Sequence, residues 1–145
     1  MIGIVRLGIA GLTALFLPLW ANAAPVKSCT NQSWEGNYGY LLTGDRLIAP
    51  NPGPRAAVGR ISADGNGNLA GTETKNENGT IITGLSFNGS YSMLTDCTGT
   101  GVLTLSNGEV RNFNFVVVED GERVLFIQTD GGRVITFTAT KQQAR

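Results

Sequence analysis

From Asn37 onward the chain is cut at short, regular intervals by turn-forming pairs, and this punctuation limits the fold more than any other feature. Asp64-Gly65-Asn66-Gly67, Asn78-Gly79, Asn107-Gly108, Asp120-Gly121 and Asp130-Gly131-Gly132 supply residues that tolerate positive φ. Between them lie runs with apolar and polar residues in alternation, the period of a strand. The runs are Asn37–Thr43, Ala57–Ala63, Asn68–Thr74, Thr80–Asn88, Gly89–Leu94, Gly99–Leu105, Val110–Val118, Arg123–Thr129 and Arg133–Thr140. No helical periodicity of ten or more residues appears among them. Tight turns join antiparallel neighbours, so the pattern predicts an all-β meander of eight to nine strands. Closing it into an up-and-down barrel removes both sheet edges. A two-sheet sandwich is the alternative, but a Greek key needs a long crossover.

The longest connection, Gly44 to Arg55, carries Pro50, Pro52 and Pro54. It is either a lid across one barrel mouth or a solvated excursion. Alternation points Tyr38, Tyr40 and Leu42 inward, then Ile81, Leu85, Phe87 and Tyr91, then Phe113, Phe115 and Val117, then Ile135 and Phe137. So much aromatic bulk predicts a mostly filled interior, with any cavity small and near one mouth. Phe115–Val118 and Val124–Ile127 are apolar on both faces. Their outer strip, taken at Val116, Val118 and Val124, needs a cover. The N-terminal arm or a second subunit, in a homo-oligomer through strands 110–118 and 123–129, are the candidates.

The first residues read as an export signal: Arg6, an apolar run from Leu7 to Trp20, and the cleavage pattern Ala21-Asn22-Ala23. The expected organisation is a signal peptide over 1–23, an arm over 24–36, a barrel domain over 37–140 and a tail over 141–145. The expected location is secreted or periplasmic, without stable membrane insertion after cleavage. Cys29 and Cys97 are the two cysteines. An even pair in an exported chain predicts a structural disulfide rather than a redox C-x-x-C site. Closing so long a loop contributes roughly 4 kcal/mol on the chain-entropy model.

Charge and composition exclude several function classes. The chain has 11 basic and 11 acidic residues and no Lys/Arg cluster, which argues against nucleic acid. Histidine is absent, which removes Ser-His-Asp and Cys-His catalysis and histidine-ligated zinc. Asp64-Gly65-Asn66-Gly67-Asn68 has alternating oxygen-bearing residues, yet Lys75 stands where a calcium loop needs its last glutamate. Glu119 and Asp120 diverge as turn neighbours. The sequence thus offers no catalytic group, no metal site and no cofactor.

Several segments resemble a group of exported bacterial proteins. They are Tyr38-Gly39-Tyr40, Ala56-Ala57-Val58-Gly59-Arg60, Asp64–Asn68 with Gly71-Thr72, Asn88-Gly89-Ser90-Tyr91, Asp96-Cys97-Thr98-Gly99-Thr100 and Phe126-Ile127-Gln128-Thr129. The resemblance implies a barrel similar to calycins and allene-oxide-cyclase-type barrels, and it carries no activity. Trp34-Glu35-Gly36 reverses the glycine-x-tryptophan order that opens lipocalins. A bacterial source also implies that the sequons at Asn31, Asn78 and Asn88 are unused.

Three functions fit. The first is binding of a small apolar molecule at one mouth, through Tyr38, Tyr40, Arg60, Glu73, Phe87, Tyr91, Phe113, Phe115 and Gln128. The second is a structural or protein-interaction module acting through the outer apolar strip. The third is a cyclase-like barrel enzyme. Glu73 shares the face of Leu69 and Gly71, so if that face is inward its carboxylate needs a partner, for which Arg60 and Arg133 are candidates.

Overall fold

A computed structural model describes residues 27–143, and the segment 1–23, expected to be an export signal, lies outside the described residues. Eight antiparallel strands close into a barrel in sequence order. They are β1 (Glu35–Arg46), β2 (Gly53–Asp64), β3 (Asn68–Glu77), β4 (Thr80–Met93), β5 (Thr98–Leu105), β6 (Val110–Val118), β7 (Arg123–Gln128) and β8 (Arg133–Lys141). Closure comes from β1 pairing with β8, from Tyr38 opposite Lys141 to Arg46 opposite Arg133. The all-β meander barrel read from the turns is therefore the fold.

The runs Thr80–Asn88 and Gly89–Leu94 are one strand, β4, so the nine runs make eight strands, within the eight to nine expected. Gly89 is an interior ladder residue opposite Leu103, not a turn. Inside β4 the register slips: Glu73 faces Leu85 but Lys75 faces Ile82, so Thr83 and Gly84 together oppose Thr74. This is a β-bulge, and Gly84 adopts φ +68°, which a side chain resists. One extra residue inverts the alternation. Ile82 therefore turns toward the core, and Ile81, expected inside, is exposed.

The proline segment is shorter than expected, because β1 runs to Arg46 and β2 starts at Gly53. Leu47 and Ile48 in it are exposed, and Leu47 N donates to Gly132 O at the rim of β8.

Inside, the alternation holds for the aromatics. Tyr38, Tyr40, Phe87, Tyr91, Phe113, Phe115, Phe126 and Phe137 all belong to one buried cluster. Four cross-strand partners of these rings are glycines: Gly59 opposite Tyr40, Gly71 opposite Phe87, Gly99 opposite Phe115 and Gly101 opposite Phe113. A Cβ on Gly101 would stand 2.3 Å from Phe113 Cζ and 2.8 Å from Ser90 O. Large rings lying over bare backbone let a narrow barrel fill without voids. Two small spaces of about 10 Å³ each adjoin Arg111, one beside Tyr40 and the other beside Arg55 and Lys75, each with room for a single water.

Candidate functional site

The two ends of the barrel differ in chemistry. At one end lie the arm and the turns β2–β3, β4–β5 and β6–β7. At the other lie the turns β1–β2, β3–β4, β5–β6 and β7–β8.

The first end is stoppered by the chain itself. Asn31–Ser33 form a single 3-10 turn, and Trp34 follows it into the barrel mouth with no exposed surface. Its ring lies 4.7 Å from that of Tyr91, 4.9 Å from Phe115 and 5.3 Å from Phe126, centroid to centroid. These tilted and edge-on contacts suit aromatic quadrupoles. Tyr91 Oη lies 2.8 Å from both Asn31 O and Trp34 O, so its one proton is shared between them. Tyr38 Oη donates to Gly121 O at 2.7 Å. Burial, and then the Glu122 charge, pushes the Tyr38 hydroxyl up to about 12. Burial and Asp64 push Tyr91 up to about 12 as well, so both remain donors.

Three further tethers fix the arm. Cys29 is disulfide-bonded to Cys97 in the β4–β5 turn, Cys29 N donates to Thr95 O, and Met93 N donates to Asn31 Oδ1. Ordering about eight arm residues costs on the order of 8–16 kcal/mol of backbone entropy, and one buried tryptophan with a few hydrogen bonds returns about 4–10 kcal/mol. The crosslink lowers that cost by holding Cys29 at the mouth, so that only a short segment between it and β1 has freedom to lose.

At the second end the interior is charged. Arg111 Nη1 and Nη2 donate to Glu73 Oε2 and Oε1 at 2.9 and 2.8 Å, and Tyr40 Oη donates to Glu73 Oε2 at 2.6 Å. Arg111 Nε donates to Glu109 Oε1 at 3.0 Å. Lys75 Nζ reaches Glu109 and Glu77 at 2.6 and 2.7 Å, and Arg55 Nη1 reaches Glu77 at 2.6 Å. Three cations and three carboxylates thus balance inside the mouth. Burial alone would raise Glu109, but Arg111 and Lys75 outweigh it and hold the carboxyl near 2. Burial and the Glu73 charge raise the Tyr40 hydroxyl far above its ordinary value. Arg55 Nε and Nη2 are buried without an acceptor and border one of the small cavities.

The sequence-derived site residues divide between these places. Tyr38, Tyr91 and Phe115 surround the stopper. Tyr40, Glu73, Phe87 and Phe113 lie deeper in the barrel. Gln128 is buried at the charged end and donates to Asp130 Oδ2 at 2.6 Å. Arg60 does not join them. It is exposed on the outer face, where its Nε donates to Gln142 Oε1. Neither expected cation meets Glu73, since Arg133 pairs with Asp130 at 3.4 Å. Arg111 takes that role. Arg111, Lys75 and Arg55 are inward site residues beyond those expected, signalled in the sequence by alternation parity with an inward neighbour: Phe113, Glu73 and Ala57 respectively. Trp34 is another. Its signal was its position, the one tryptophan outside the leader, between Cys29 and the first strand.

The outer apolar strip also shifts. Val124 is fully buried and faces inward, while Leu125 and Ile127 face out beside Val116. The arm enters the barrel end and leaves this strip uncovered by any described residue. With Leu94, the strip borders a concavity of about 540 Å³. Asp64, in the loop weighed for calcium, instead accepts from Asn66 N and Asn68 N and from Asn68 Nδ2. Among the described residues no cluster of acidic or cysteine side chains has metal-binding geometry.

No family model matches this chain, and no curated protein matches it. Among solved structures, a de novo designed fluorescence-activating β-barrel is similar, with a TM-score of 0.54 and 11% sequence identity. The match covers 77% of this chain and 96% of the designed one. At that identity the likeness is one of fold.

Proposed function

We propose that the protein is an exported interaction module that works through its outer surface and associates with a second copy of itself by the strip at Val116, Leu125 and Ile127. The observation that carries this is the combination of a filled interior with an apolar strip left bare. Small spaces of about 10 Å³ hold neither an apolar ligand nor a cyclase substrate. Leu125 is 39% and Ile127 51% exposed, and Leu94 beside them 62%. Val116 lies opposite both Thr98 and Leu125, and Ile127 opposite both Asn114 and Thr136. Around these residues the face is uncharged, and Arg123, which closes it at the start of β7, is ion-paired with Glu119, so two copies can meet at the strip without opposing like charges. A closed barrel has no free edge, so such contact is side chain to side chain. Export is supported by the leader sequence and by the Cys29–Cys97 disulfide, a bond that persists in oxidising compartments.

Sedimentation velocity over a concentration series tests this reading. Wild type forms a dimer as concentration rises, and Leu125→Lys with Ile127→Lys stays monomeric with its sheet spectrum intact. A wild type that remains a monomer at every concentration overturns it.

A second reading, small-molecule binding, draws on the aromatic mouth. There the chain's own indole sits where a flat apolar ligand would.

A further inference from the structure

The Cys29–Cys97 disulfide borders a surface concavity of about 620 Å³, whose rim includes Lys27, Glu119, Asp120 and Lys141. Cys97 is half-buried rather than enclosed. A reductant thus has a path to the bond. Two residues beyond Trp34, Gly36 adopts φ +126°, a conformation that an L side chain rarely takes. It is held in the β1 ladder opposite Ala63, so the segment free to leave ends at Trp34. Trp34 Nε1, fully buried, has no acceptor. The indole is held by ring contacts and by its neighbours' main chain, not by a polar anchor of its own.

We propose that Lys27–Trp34 is a redox-released stopper, and that the pocket it vacates binds a flat aromatic ring bearing a carboxylate or carbonyl. This goes beyond the surface function above and does not depend on it. A dithiol reductant delivers two electrons and two protons to the disulfide and leaves as a disulfide itself, so Cys29 and Cys97 become thiols. The arm then keeps only its packing and hydrogen bonds, and the entropy of about eight residues favours its departure. The vacated mouth is walled by Tyr91, Phe115 and Phe126. Two donors lose their acceptors with it: Tyr91 Oη, which had Asn31 O and Trp34 O, and Met93 N, which had Asn31 Oδ1. Buried donors without acceptors are costly, so the favoured ligand brings oxygen acceptors to them. Indole-3-propionate reproduces the Trp34 side chain with its carbonyl and is the probe of choice.

The test uses the full chain with Trp20→Phe, so that Trp34 is the one remaining indole of the protein. Its fluorescence and far-UV circular dichroism are recorded before and after dithiothreitol, and indole-3-propionate binding is measured by equilibrium dialysis in both states. The expected result is buried-type emission without binding when oxidised. Reduction gives red-shifted emission, an unchanged sheet spectrum, and binding at least about ten-fold tighter than in the oxidised protein. Trp34→Ala with the disulfide intact should bind bare indole in either redox state. Unchanged emission on reduction overturns the stopper. So does loss of the sheet spectrum, since the crosslink would then hold the barrel itself. Folded Trp34→Ala or reduced protein that binds neither probe overturns the pocket.

Discussion

Arg111 grips Glu73 with both ends of its guanidinium fork, at 2.9 and 2.8 Å, across the interior of the barrel from β6 to β3. Both side chains are almost wholly enclosed, at 5% and 0% exposure. A buried pair of this kind gains little over apolar residues of equal size, yet breaking it strands a charge. Arg111→Met is expected to destabilise the fold by about 3–5 kcal/mol in urea denaturation. Adding Glu73→Gln to that variant should recover part of the loss, because the stranded carboxylate is gone. Strict additivity of the two changes would show that the pair is not coupled.

Glu109 gives the charged mouth an acid dependence. Its folded value, near 2, lies below the ordinary 4.5, since Arg111 and Lys75 outweigh the effect of burial. A depressed carboxylate contributes stability above its unfolded value and loses it as pH falls through the folded one. The contribution is on the order of 3 kcal/mol, lost between about pH 5 and pH 2. Thermal unfolding across that window should show a steep fall in wild type and a shallower one in Glu109→Gln. The slope does not vanish, because hydrogen bonds also hold Asp64 and Asp96 low. Equal slopes in the two proteins would remove Glu109 from the account.

The bulge at Gly84 predicts a position-specific cost. Gly84→Ala places a side chain at φ +68° and should cost about 1–2 kcal/mol. Gly131→Ala, at a glycine without positive φ and with no atom within 4 Å of its would-be Cβ, should cost nothing measurable by chemical denaturation. If the two variants are equally stable, the bulge carries no strain.

The same bulge shows where the sequence stops being legible. Turn pairs and period-two alternation carry the barrel, its closure and most of the inward face, because both are local properties of the chain. Ile81 was expected inside because nothing local says that Gly84 is an inserted residue rather than a turn. Charge partners are set by how strands lie around the barrel, so Arg60 and Arg133 were weighed for Glu73 while Arg111, on a strand that does not pair with β3, makes the bond. The stopper lay beyond periodicity altogether. Trp34 belongs to an arm with no repeat, and its ring is placed by the tether at Cys29 together with contacts to Tyr91, Phe115 and Phe126 that no local pattern announces.

Interchain contact at the outer strip is the measurement that bears most directly on function. An isotope-filtered NOE experiment on a mixture of ¹³C-labelled and unlabelled chains reads it without a mutation. The account predicts intermolecular NOEs at the methyls of Val116, Leu125 and Ile127. Their absence at concentrations where the protein self-associates, or their appearance at the exposed Leu41 and Val58 instead, would contradict it.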